Sequence, residues 1–294
     1  MKKILNRRNV IIGLLASGTA TSIPAQGQED MLPDLSNVPE QFRASAEAAY
    51  KKLIAEFPYE RIEVPGADIA GEWERLRKLG RGWPVIVGNV DKFIKLADQY
   101  HIFSPEGYKE LSNIEGFPKP RSVEEILKIS NSIRFPDDIS KAPGAYSPEE
   151  LSAKVGDWPN LGEFSDDAPG ISLASDSLTG KPLDKVQVIF IPTENSWEIP
   201  AFLYWGGWNA CPPPEYHVAA LKHWHEKYGL ELVGINGDSM DMRISRPPKD
   251  KDEAISVAKD IYLYCPDIVD QGPGNLSTLA AIMVTRNWWT FWWD

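Results

Sequence analysis

The sequence predicts an α+β fold: a mainly antiparallel sheet flanked by helices, behind a helix-rich N-terminal portion. Three observations carry the expectation. Apolar residues recur at helical steps of three or four in several stretches, as at Phe42, Ala46, Ala49, Leu53 and Phe57. Short β-branched runs such as Val186 to Ile191 are too brief for helices and too apolar for loops. Asn236-Gly237 between two apolar runs is a hairpin signal, because both residues accept positive φ. With 43% hydrophobic and 25% charged residues, the 294-residue chain has the balance of a globular protein rather than a disordered or fibrous one.

In chain order, a helix is expected from Asn37 to Glu56 and a second from Gly71 to Leu79. A buried strand follows at Trp83 to Gly88, then a helix from Asp91 to Tyr100. Ser122-Val123-Glu124-Glu125 and Ser147-Pro148-Glu149-Glu150 both have capping-box spacing, so each predicts a helix start. Residues 152–185, rich in Gly, Pro, Asp and Ser, read as a long irregular connection. Beyond it, Val186 to Ile191 and Ile199 to Trp205 are strand-like, and Pro212-Pro213-Pro214 opens a helix running to about Tyr228. Strands at Leu230 to Ile235 and Met240 to Ile244 flank the Asn236-Gly237 turn. In the second of them Asp241 and Arg243 alternate with apolar residues, which predicts one wet face. Helices at about Asp252 to Cys265 and Leu276 to Thr285 precede a last strand, Trp288 to Trp293, apolar on both faces. Strands and helices in that order imply an α+β sheet rather than a parallel one.

The first 25 residues carry Lys2, Lys3, Arg7 and Arg8 and no acid, then a short apolar core and a small-residue stretch ending at Ala25. That is the pattern of a signal peptide. Asn6-Arg7-Arg8-Asn9-Val10-Ile11 resembles a twin-arginine signal, with a general secretory signal as the alternative. The expected organisation is therefore a signal peptide over 1–25, a helix-rich region over 26–146 and an α+β domain over 147–294. The expected location is periplasmic or secreted, with no stable membrane anchor after signal cleavage. The net charge of −11 becomes about −15 once the four basic residues of the signal are removed. So acidic a surface repels phosphate backbones and makes nucleic acid an unfavourable partner.

Several unusual motifs occur in one order: Trp205-Gly206-Gly207-Trp208-Asn209-Ala210-Cys211-Pro212, Tyr228-Gly229, Arg246-Pro247-Pro248, Tyr264-Cys265-Pro266-Asp267-Ile268-Val269 with Gln271-Gly272, and Phe291-Trp292-Trp293-Asp294. Together they resemble the bacterial family called domain of unknown function 4253, over about Ser147 to Asp294. The resemblance implies a domain boundary and brings no catalytic residues to carry over.

Candidate chemistry rests on few residues. Cys211 lies just before a helix N-terminus, where a thiolate is favoured, and His217 is six residues on, so the two could form a nucleophile and base. Cys265 falls on the apolar stripe Ala254, Ala258, Ile261 and reads as core. In an oxidising compartment Cys211 and Cys265 form a possible disulfide. His217, His223 and His225 share one helix, but His223 and His225 are two apart and diverge around it. No metal site or other cofactor is expected. Asp267 and Asp270 could serve acid–base work, with capping and turn formation as the competing explanation. Trp208, Asn209, Arg246 and Gln271 are candidate ligand-binding residues. The eleven tryptophans would suit stacking on a ligand, yet Trp288, Trp289, Trp292 and Trp293 read as core. The expected function is thus binding of a small molecule or a protein partner. The alternative is a hydrolase-like enzyme built on the loops at Asn209–His217 and Asp267–Gln271.

Overall fold

The computed structural model describes residues 32–33, 35–111, 119–164 and 170–294. The expected signal peptide, 1–25, lies outside them. The chain divides into two units, residues 1–58 and 59–294. In the first, the expected helix forms as α1 (Glu40–Glu56), starting directly after Pro39. Arg43 donates to the carbonyls of Val38 (2.9 Å) and Ser36 (3.2 Å) and ties the entering chain to the helix.

The second unit is built on one six-stranded sheet. Its elements are β1 (Glu60–Val64), α2 (Ile69–Arg77), β2 (Trp83–Gly88), α3 (Val90–Phe103), α4 (Pro105–Leu111), α5 (Val123–Ser130), β3 (Val186–Ile191), α6 (Ile199–Phe202), α7 (Pro214–Tyr228), β4 (Leu230–Ile235), β5 (Ser239–Ile244), α8 (Lys251–Tyr264), α9 (Asp267–Asp270), α10 (Leu276–Thr285) and β6 (Trp288–Trp292). The strand order is β1-β3-β2-β4-β5-β6. Every pairing is antiparallel except β2 with β4, which meet in parallel at Ile86 and Gly234. The fold is therefore α+β with a mainly antiparallel sheet. Residues on both sides of position 147 contribute strands to it.

Helix starts follow the local chemistry of the sequence. Side chains of Asp68, Asn89, Asp250 and Asn275 accept backbone N–H bonds at the starts of α2, α3, α8 and α10. Ser122 and Glu125 complete a reciprocal capping box at α5. Gly229 ends α7 in the left-handed conformation, φ 63°.

Five expectations are corrected. Ile199 to Trp205 is not a strand: a 3-10 turn at Ser196–Glu198 runs into α6, because Pro200 fits a first helical turn and offers no N–H to a ladder. Ser147 N donates to Glu150 Oε2 at 2.7 Å, but the segment stays a turn: one capping bond does not offset the cost of helix nucleation before Gly156 and Pro159. The hairpin of β4 and β5 forms without positive φ at Asn236 or Gly237. Instead the Asn236 side-chain oxygen accepts from Asp238 N (3.1 Å) and Ser239 N (3.0 Å). In β6, Trp289 and Phe291 are buried while Trp288 and Trp292 are half-buried, so its faces differ. Finally, β5 has no fully wet face, because Asp241 is buried.

Alternation along β5 and β6 builds the core on one side of the sheet. Met240 and Met242 lie opposite Phe291 and Trp289, and Trp224 of α7 and Tyr264 of α8 pack against these rings at centroid distances of 5.6–6.2 Å and edge-on to each other at 5.1 Å. Each such aromatic pair adds about 0.5–1.5 kcal/mol beyond the area it buries. On the other side, Thr290 faces Asp241 in register. Arg243 there pairs with Glu231 (2.6 Å) and Glu74, and Arg77 lies over the Trp73 and Trp83 rings at 4.9 and 4.1 Å. Among the described residues no helix is long and apolar enough to cross a membrane.

Candidate functional site

Cys211 and His217 meet. The segment from Trp205 to Cys211 turns back on itself through Gly206 (φ 112°), Gly207 (φ 82°) and Asn209 (φ 46°). Gly207 N donates to the Pro212 carbonyl at 2.9 Å, and Cys211 N to the Trp208 carbonyl at 2.7 Å. Glycine is required at 206. A Cβ there would lie 2.1 Å from the Pro212 oxygen and 2.7 Å from His217 Nε2. This close approach seats the His217 ring against the loop, with Nε2 3.4 Å from Cys211 Sγ.

The chain of contacts continues inward. His217 Nδ1 is 2.5 Å from the Tyr264 hydroxyl, and the imidazole lies edge-on to Trp205 (4.8 Å), Trp293 (5.2 Å) and Tyr264 (5.4 Å). Cys211 and His217 have no exposed surface and Tyr264 has 1%. Burial pushes the His217 pKa down to about 3, against the lesser upward pull of its hydrogen bond to the Pro212 backbone. Burial also holds the Tyr264 phenol well above its ordinary value. The imidazole is therefore neutral and the phenol protonated at neutral pH. With Tyr264 donating to Nδ1, the ring's single N–H sits on Nε2, toward the Pro212 carbonyl and the Cys211 sulfur.

Cys211 and Cys265 are both thiols, with no disulfide joining them. Cys265 donates to the Trp292 carbonyl at 3.0 Å, and burial raises its pKa.

The polar candidates divide. Asn209 Nδ2 donates to the Asp294 backbone oxygen (2.8 Å), Asp294 N to Asp267 Oδ2 (2.9 Å), and Gln271 Nε2 to Asp267 Oδ1 (3.2 Å). The two loops are thereby tied together through Asp294. Asn209, Gln271 and Asp294 are exposed and Asp267 is half-buried, so the network lies at the surface. Asp270 belongs elsewhere, accepting the Tyr262 hydroxyl at 2.8 Å. Arg246 caps α7, its guanidinium donating to the carbonyls of His225 (3.1 Å) and Glu226 (3.0 Å). Trp208 is 8% exposed and packs edge-on to Trp205 at 4.8 Å. His223 lies by Phe135 and His225 by Trp197. Among the described residues no group of three or more His, Cys, Asp or Glu side chains is placed to hold a metal ion.

Asp241 was not singled out by the sequence. Fully buried, it accepts from Ser172 Oγ (2.9 Å), Leu173 N (2.9 Å) and Thr290 Oγ1 (2.7 Å), pinning the 3-10 turn Ser172–Ala174 to the sheet. Burial raises its pKa to about 6 and outweighs the hydrogen bonds that oppose it. The only local signal was its place between two methionines of a strand. Tyr264 and Asp294 were also missed as site residues, although both stand in the motifs quoted above.

Residues 187–294 match the model of a family described as a domain of unknown function (DUF4253). The match spans all but the first residue of β3, strands β4, β5 and β6, and the loops joined by Asp294, and leaves β1 and β2 outside it. No curated protein and no solved structure matches the chain.

Proposed function

We propose that the protein is exported, by the twin-arginine route, and acts outside the cytoplasm by binding a small molecule or a protein partner. The binding face is formed by Trp205–His217 and Asp267–Gln271. The observation that carries this reading is the Asn209–Asp294–Asp267–Gln271 network. It fixes two loops at the surface through hydrogen bonds and so pre-organises an exposed, acid-rich polar face. Export rests on the basic, acid-free start of the sequence and its short apolar core.

Two experiments test it. A reporter fused behind residues 1–36 should reach the periplasm, and Arg7→Lys with Arg8→Lys should retain it in the cytoplasm. Cytoplasmic reporter from the unaltered fusion would remove the export reading. Immobilised protein should then capture from a periplasmic extract a discrete partner that Asn209→Ala with Gln271→Ala retains at least tenfold less well. Equal retention by the variant would move the binding face elsewhere, and retention of nothing would count against binding.

A second reading, a hydrolase-like enzyme, draws on the Cys211–His217–Tyr264 chain. It places a thiol beside an imidazole whose other nitrogen meets a hydroxyl, and it needs the opposite ring tautomer, with the proton on Nδ1 and Nε2 free to take the thiol proton. It requires the Gly206–Cys211 loop to open, since all three groups are buried. Native-state reactivity of Cys211 separates the two readings.

A further inference from the structure

We propose that the recess between α5, α7 and the Asn195–Glu198 loop binds a small zwitterion of the α-amino acid class. The recess has a volume of about 170 Å³ and shares no residue with the face proposed above. Sites for drug-sized ligands run to roughly 300–1,000 Å³, so this one suits a single small molecule rather than a peptide.

Its two charges select the ligand. Lys222 stands on the α7 wall and Glu198 on the loop wall. Lys222 is held by the end of α5 and Glu198 by its own loop. Lys222 Nζ donates to Asn131 Oδ1 at 3.4 Å, leaving two of its three protons for a ligand. The Glu198 carboxylate accepts from Thr193 Oγ1 (2.5 Å) and Asn195 Nδ2 (3.2 Å), leaving a lone pair on each oxygen. A carboxylate placed at Lys222 and an ammonium at Glu198 would match both ends at once. Leu127 and Val218 supply an apolar wall, with the Trp197 indole beside them, so an aliphatic or aromatic side chain is favoured. A neutral sugar would use neither charge. A simple amine or acid would engage only one of them and forgo the other charge-assisted contact.

The test is calorimetric titration of the full chain with L-leucine and L-phenylalanine, beside 3-methylbutylamine, 4-methylpentanoate and glucose. The expected result is saturable binding of at least one amino acid, with the amine, the acid and glucose at least tenfold weaker. Lys222→Met and Glu198→Gln should each weaken the amino acid at least tenfold, with folding checked by circular dichroism. Absence of amino acid binding at millimolar concentration would overturn the proposal. So would equal binding of the amine or the acid, tighter binding of glucose, or affinity unchanged in both variants. The comparison among ligands uses the unaltered protein alone and stands whether or not either variant folds.

Discussion

Asp241→Asn should make the protein more stable at neutral pH and more sensitive to acid. In the folded chain the carboxyl has its pKa raised from 3.8 to about 6. A raised carboxyl favours folding when protonated, so its contribution declines as pH climbs from about 4 to about 6. At about 1.4 kcal/mol per pH unit the full swing is about 3 kcal/mol. Asparagine can keep the bonding pattern: its oxygen takes Leu173 N and Ser172 Oγ, and its amide donates to Thr290 Oγ1. The variant therefore resembles the protonated wild type at every pH, and above pH 7 it should gain up to about 3 kcal/mol. The gain should shrink toward zero near pH 4. Asp260, also raised to about 6 by burial, titrates in both proteins and cancels in the difference. Urea denaturation followed by tryptophan fluorescence, at pH steps from 4 to 8, measures that difference directly. A difference that does not change with pH would refute the assignment of a raised pKa to Asp241.

Other consequences follow from the same contacts. His217, pushed down to about 3 from 6.5, contributes stability that is complete above pH 6.5 and is lost toward pH 3, about 5 kcal/mol over the window. Its acid slope opposes that of Asp241 between pH 4 and 6, so wild-type stability should be nearly flat there from these two groups and His217→Gln should fall less below pH 4; an unchanged acid limb would contradict this. Gly206→Ala should cost several kcal/mol or prevent folding, because the added methyl meets Pro212 and His217 at a positive φ; thermal denaturation within a degree of wild type would contradict the packing. Arg246→Ala should cost about 1 kcal/mol through the lost C-terminal cap of α7 while leaving any ligand affinity unaltered; a loss of binding would return Arg246 to the binding face.

What was legible in the sequence was local. Capping side chains at Asn89, Ser122, Asp250 and Asn275 and the stop at Gly229 act within one turn, so the helices they bound appear close to where periodicity placed them. His217, Leu221, Trp224 and Tyr228, at steps of four, three and four, form the buried face of α7. Strands whose identity depends on partners were harder. β1, Glu60-Arg61-Ile62-Glu63-Val64, is charged because it lies at a sheet edge and pairs only with β3. Ile199 to Trp205 is a short apolar run, which periodicity alone cannot divide between strand and buried helix. The site was least legible where distant residues meet. Asp241 accepts hydrogen bonds from Ser172, 69 positions away, and Thr290, 49 away. Asn209 reaches Asp267 only through Asp294, 85 positions from Asn209. No spacing rule spans such separations.

The central claim is that Cys211, His217 and Tyr264 form a sealed structural core, while function belongs to the exposed face beside it. Alkylation of the native, unreduced protein by a maleimide, with each thiol quantified by peptide mass spectrometry, tests this most directly. The expected result is no labelling of Cys211 or Cys265 in buffer and complete labelling of both in denaturant without reductant. Rapid native labelling of Cys211, already fast below the ordinary thiol range of pH, would contradict the claim and favour a nucleophile.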